Sequence, residues 1–103
     1  MAKMTVIYKT PKHIAIFEKH YFEVHVPLAM QLPGLLKGEI NEGSISSKTG
    51  HSDVNRIANL YFESKDTIMD SFKSEIGQLC ASYRKILADN EAVQIYVYET
   101  KPL

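Results

Sequence analysis

With 103 residues, the chain can build one hydrophobic core and is too short for separate cofactor and substrate domains. Its composition, 45% apolar and 23% charged, is that of a folded protein and excludes an intrinsically disordered one. Twelve Lys and Arg balance twelve Asp and Glu, and basic residues cluster only in short runs such as Arg84-Lys85, so nucleic acid is not an expected partner.

Met4 to Lys9 (MTVIYK) is rich in β-branched and aromatic residues and reads as a first strand. Thr10 then stands as a helix N-cap, with Pro11 at the first helical position. Ile14, Phe17, Tyr21, Val24 and Leu28 follow at alternating steps of three and four, which places them on one helical face. Pro27 cannot donate to the Glu23 carbonyl, so the helix is expected to kink or stop near His25.

Pro33-Gly34 marks a turn, and Leu35 to Asn41 (LLKGEIN) reads as a second strand with Leu36, Gly38 and Ile40 on one side. The stretch from Gly43 to Asp53 is a polar, Ser/Gly-rich loop. Arg56 to Glu63 alternates as a third strand, with Ala58, Leu60 and Phe62 on one face and Ile57, Asn59 and Tyr61 on the other. Ser64 caps a second helix to about Ser74, carrying Ile68, Met69 and Phe72 inward; Gly77 interrupts before a helical run to Leu87. Ala92 to Tyr98 (AVQIYVY) is the last strand.

The order β-α-β-β-α-β, with right-handed crossovers, predicts an α+β, ferredoxin-like fold spanning 1–103 as one domain: a four-stranded antiparallel sheet with helices on one face. The other face would carry Ile57, Asn59, Tyr61, Gln94, Tyr96 and Tyr98. A half-apolar, tyrosine-rich face is buried if two copies pair about a two-fold axis, giving a homodimer; the alternative is a wet sheet face, which antiparallel sheets tolerate.

No stretch approaches the roughly 20 apolar residues of a membrane span, and the N-terminus lacks the apolar run of a secretion signal, so no membrane is expected and the cytoplasm is the expected compartment. The single cysteine, Cys80, forms no internal disulfide and reads as a small buried hydrophobe. There is no Cys/His cluster with zinc spacing, no nucleophile elbow and no phosphate-binding glycine loop, so no cofactor is expected.

Val6-Ile7-Tyr8-Lys9, then Phe17, then Tyr21-Phe22-Glu23-Val24-His25-Val26-Pro27-Leu28-Ala29 and Leu32-Pro33-Gly34-Leu35, resemble the opening signature of the EthD family. The resemblance covers roughly the first 40 residues, and beyond them the match is mainly one of element order. That family is named for a protein encoded beside an ethyl tert-butyl ether degradation system and belongs to the dimeric α/β-barrel group. Membership implies that fold, a small-molecule cavity beside the helices and a loose oxidoreductase association. It does not imply one reaction, since the wider group includes isomerases, dehydratases and cofactor-independent oxygenases.

His25 is the first candidate acid/base group, in a helical turn whose dipole would favour a charged ring; alternatively it bonds a carbonyl freed by Pro27. Tyr61 is its expected catalytic companion, as a phenol that steers a developing oxyanion. Tyr8, Tyr21 and His51 are candidate substrate-binding residues, His51 with Asp53 on a loop that either closes over a ligand or is a solvated turn. His13 and His20 are expected to face water. The expected function is cofactor-independent proton transfer next to a carbonyl in the catabolism of a small oxygenated compound. The contrasting expectation is a non-catalytic protein that holds a metabolite for a partner enzyme.

Overall fold

The computed structural model describes residues 1–103. Four strands, β1 (Ala2–Lys9), β2 (Lys37–Ile40), β3 (Val54–Phe62) and β4 (Val93–Glu99), form one sheet in the order β2-β3-β1-β4. Every neighbouring pair is antiparallel. The helices are α1 (Ile14–His20), α2 (Val26–Ala29), α3 (Lys65–Lys73) and α4 (Glu75–Leu87).

Strand alternation sorts the side chains onto two faces. On one, Ala2, Met4, Val6 and Tyr8 stand opposite Phe62, Leu60, Ala58 and Arg56. This face meets the helices through two clusters. Ala2 and Phe62 pack with Leu32, Ile68 and Cys80, while Val6, Tyr8 and Ala58 pack with Phe17 and Tyr21. On the other face, Lys3, Thr5 and Ile7 are flanked by Tyr61, Asn59 and Ile57 from β3 and by Tyr98, Tyr96 and Gln94 from β4. The fold is therefore the ferredoxin-like one, with its helices on one side of an antiparallel sheet, and the expected helix-facing set of β3, Ala58, Leu60 and Phe62, is the observed one.

Several local expectations are overturned. Thr10 does not cap the first helix: it still belongs to the sheet, its N–H donating to the Asp53 carbonyl at 3.1 Å and extending the β1–β3 ladder. The helix starts later, at Ile14, with His13 in the cap position and no side-chain cap, and Ile14 itself is exposed. At the kink or stop expected near His25 the chain neither stays a plain α-helix nor ends: the helix changes type there. It widens into a π-helical turn over Tyr21–His25, where the Val26 N–H reaches back to the Tyr21 carbonyl, and resumes as α2 through Pro27. One inserted residue shifts the ladder so that the missing N–H of Pro27 falls beside the bulge, a common device at functional sites.

The second interruption falls at Ser74, whose extended backbone ends α3 and whose Oγ accepts from the Gly77 N–H to cap α4. Gly77 is needed for a different reason: a Cβ there would collide with the Ser71 carbonyl, so only glycine lets α4 start this close to α3. Ser64 caps α3 as expected, accepting from the Thr67 N–H. Met69 and Leu36 point outward rather than into the core. β2 is shorter than Leu35 to Asn41, although single backbone bonds from Leu36 to Tyr61 and from Asn41 to Ile57 continue its pairing.

Candidate functional site

The π-helical turn puts two buried rings, Tyr21 and His25, over the helix-facing side of the sheet. Tyr21 sits 5.8 Å from Tyr8 and 5.6 Å from both Phe17 and His25, centroid to centroid. These edge and stacked contacts fix the rings without polar bonds. On the far side of Tyr21 and Phe22 lies the Arg56 guanidinium, within 5.2 Å of each ring centroid at most. Arg56 is held by Glu18 at 2.6 Å and by the Asn41 carbonyl at 3.1 Å. It anchors the aromatic stack to the β2–β3 loop.

Two contiguous cavities of ≈ 150 and ≈ 140 Å³ share a wall made of Val6, Tyr8, His25, Ala29 and Leu60. The first extends to Phe72, Cys80, Arg84 and Ile95, and the second to Tyr21, Met30 and Ile40. His25 is 9% exposed, and its Nδ1 is buried with no hydrogen-bond partner. The expected bond to a freed carbonyl is not made. Burial, helped by the nearby Arg84 charge, lowers the His25 pKa to about 4, so the ring is neutral at pH 7 and the dipole-stabilised imidazolium expected from its helical position is corrected. Burial also raises the Tyr8 phenol well above its ordinary value and pushes Tyr21 up to about 12. Both remain hydrogen-bond donors. Cys80, pushed up to about 11 by burial, is a thiol.

Tyr61 does not join this group. β3 alternation turns it to the opposite face, where its Oη donates to Glu39 at 2.7 Å and its ring lies beneath Lys3 and Lys37. Tyr61 and His25 thus lie on opposite sides of the sheet within one protomer, and Tyr8 and Tyr21 are the phenols that line a cavity with His25. His51 lies exposed on the loop after β2 and lines neither cavity. His13 is exposed, whereas His20, though also exposed, bonds Tyr83 Oη through Nδ1 at 3.0 Å. The unforeseen member is Arg84. Its sequence signal was a charge within the apolar stripe Cys80, Arg84, Leu87 of α4. No three His, Cys, Asp or Glu side chains gather so as to hold a metal ion, and no helix is long and apolar enough to cross a membrane.

Comparison with known proteins bears on this geometry. The EthD domain model matches residues 13–92. An uncharacterised 11.0 kDa protein of Rhodococcus erythropolis, from the thcB-thcC intergenic region, is 35% identical over 83 residues, 80% of this chain and 79% of that protein. Among solved structures, an ethyl tert-butyl ether degradation (EthD) family protein of Bacillus halodurans superposes with a TM-score of 0.88 at 21% identity, covering 98% of this chain and 99% of its own. SnoaB of Streptomyces nogalater, a cofactor-independent oxygenase, gives 0.68 at 11% identity over 99% and 94%. A dimeric ferredoxin-like protein of unknown function from Jannaschia gives 0.68 at 14% over 96% and 98%. At these identities the three structures establish a shared fold.

Proposed function

This chain belongs to the EthD family, and on that footing we propose that its helix-side cavity binds a small oxygenated ring compound and moves a proton beside its carbonyl. The observation that carries the proposal is His25: a buried, neutral imidazole with an unpartnered Nδ1 in a cavity it shares with Tyr8. A buried polar atom without a partner costs stability, and a ligand that supplies the missing bond recovers it.

In the proposed step, the proton on the carbon next to the carbonyl passes to His25. The C–H electron pair becomes the enolate, and Tyr8 donates a hydrogen bond to its oxygen. The new negative charge stabilises the imidazolium that forms beside it. Returning the proton to a different carbon isomerises the substrate; expelling a β-hydroxide that takes the proton from the imidazolium and leaves as water dehydrates it; and a bond from the enolate carbon to dioxygen, which accepts the electrons and then the proton, oxygenates it to a hydroperoxide. The fold shared with the cofactor-independent oxygenase SnoaB supports the last of these. The role proposed for the protein is in the catabolism of such a compound. The outer sheet face pairs with a second copy to close a barrel, in keeping with the dimeric Jannaschia protein of the same fold.

A second reading has its own observation. A ring whose pKa is lowered to about 4 is a weak base, which suits a protein that holds a metabolite for a partner enzyme. Deuterium exchange at the α-carbon of cyclohexanone in D₂O, followed by proton NMR, separates the two. The catalytic reading expects exchange above the buffer rate, lowered by about 10²- to 10⁴-fold in His25→Gln with the circular dichroism spectrum retained. Exchange that is unaffected by His25→Gln overturns it, and binding of cyclohexanone without exchange favours the holding role.

A further inference from the structure

Arg84 is a charged side chain buried in the cavity wall, and it has no carboxylate partner. It occupies the last turn of α4 at 9% exposure. Its Nη1 donates to the Ala88 carbonyl at 3.0 Å and its Nη2 to Asn90 Oδ1 at 2.8 Å. Both acceptors are neutral. The ion pairs of the chain are Lys37–Glu39 and Arg56–Glu18. The second shows how this fold treats its other buried guanidinium: it supplies a carboxylate at 2.6 Å.

A guanidinium is charged at any physiological pH and carries five N–H donors. Buried without a counter-charge it is costly. The C-terminal carbonyls of α4 favour a cation there, but that role is satisfied at a wet surface and does not require Arg84 to line an apolar cavity. Here Arg84 lines the same cavity as His25, whose Nδ1 is unpartnered. The remaining wall carries a second cation, the exposed Lys85, and is otherwise largely apolar, with Met4, Val6, Leu60 and Phe72. The volume, ≈ 150 Å³, is that of an apolar protein cavity known to admit a single benzene ring.

We propose that Arg84 and His25 together receive a delocalised oxyanion, carboxylate or phenolate, carried by a single-ring compound whose carbon body lies against Met4, Val6, Leu60 and Phe72. This rests on the reading of the cavity as the binding site and goes further, since it assigns the charge of the ligand and makes Arg84 the residue that selects for it. An oxyanion gives Arg84 its missing counter-charge and accepts a hydrogen bond from Nδ1 of the buried imidazole in its Nδ1–H tautomer, which leaves Nε2 as the basic nitrogen. A neutral ring does only the second.

The test is isothermal titration calorimetry of the full chain with benzoate, benzyl alcohol and benzylammonium. Benzoate is expected to bind at least about tenfold more tightly than benzyl alcohol, the difference between a charge-assisted and an ordinary hydrogen bond, and benzylammonium least of all. Arg84→Met, apolar and of similar reach, is expected to erase that preference while benzyl alcohol still binds. Arg84→Lys keeps the charge without the planar fork and is expected to retain part of the preference, a result that does not depend on Arg84→Met folding. Comparing 4-nitrophenolate with benzoate then tells a phenolate oxygen from a carboxylate, the tighter ligand naming the source.

Equal or weaker binding of benzoate relative to benzyl alcohol in the unaltered chain overturns the assignment to Arg84 and leaves the cavity reading standing. So does a benzoate preference that survives Arg84→Met. Failure of every ring compound, cyclohexanone included, overturns both.

Discussion

The two faces of the sheet use the same residue types in opposite ways. On the helix side, Tyr8, Tyr21, Cys80 and His25 have shifted pKa values for which burial is the leading cause. On the outer side, Lys3, Tyr61 and Tyr98 are shifted first by hydrogen bonds to one another, to Glu39 and to Thr5. The outer polar groups already have partners: Thr5 Oγ1 donates to Asn59 at 2.9 Å and meets Tyr98 Oη at 3.2 Å. His25 on the inner side has an unpartnered nitrogen. A phenol is thus not a candidate site by its identity. What singles out a site is desolvation combined with an unmet hydrogen bond, and only the helix side combines them.

The sharpest way to break this contrast is to cut adjacent residues of β3 that face opposite ways. Phe62, fully buried on the helix side, is expected to cost about 3–5 kcal/mol as Phe62→Ala, at every protein concentration, because the loss is a cavity within one protomer. If the outer face pairs with a second copy, as proposed, Tyr61→Ala should instead lower the melting temperature by an amount that depends on protein concentration. Thermal melts of both variants over a hundredfold range of concentration read this directly. A concentration-independent effect of Tyr61→Ala would leave the outer face a solvated surface.

A smaller effect sharpens the inner half of the comparison. Unfolded, His25 takes a proton below about pH 6.5; folded, it does so only below about 4. Between those values the unfolded chain binds more protons, so stability falls as pH falls through that window and is complete above it. The groups around the ring are Tyr21 beside it in the same turn, Tyr83 stacked at 6.3 Å, Tyr8 across the cavity, Arg84, Lys85 and Cys80 from α4, and Glu39 at the wall of the second cavity. Glu39 is the one carboxylate among them, and it accepts from Tyr61 on the outer face. Urea unfolding at pH 7 and pH 5 is expected to differ by about 2 kcal/mol from this ring alone, and His25→Gln should remove that part of the difference.

Much of this architecture is legible in the chain because local patterns and the tertiary outcome agree. Ala58, Leu60 and Phe62 alternate as a half-buried strand must, and Ser64 caps where a helix needs an acceptor. The misread points are those where a tertiary bond outbids a local preference. Thr10 is a good cap residue, yet its N–H is taken by Asp53 across the sheet. Pro27 signals a helix end, yet the π-turn absorbs it.

Half of the candidate site was equally legible. Tyr8, Tyr21 and His25 come together as the apolar spacing and the resemblance imply, because a helix face and a strand face that are both apolar must meet. Tyr61 alternates with Leu60 and Phe62 and so faces away from the helices, as strand parity implies, which separates it from His25. Arg84 was passed over because charge in a sequence reads as solvent exposure, and its buried state comes from neutral acceptors at Ala88 and Asn90, which no spacing rule announces.

The most direct test of the account is the protonation state of one ring. An NMR titration of the histidine side chains, with His25→Gln used to assign the His25 signal, reports whether that imidazole is buried and uncharged in solution. The account expects the His25 ring to remain neutral from pH 8 down to about 4 and its signals to move when a one-ring ligand fills the cavity. A His25 ring that titrates near the ordinary value of about 6.5 and ignores such ligands would be a wet side chain, and the helix-side cavity would not be the functional site.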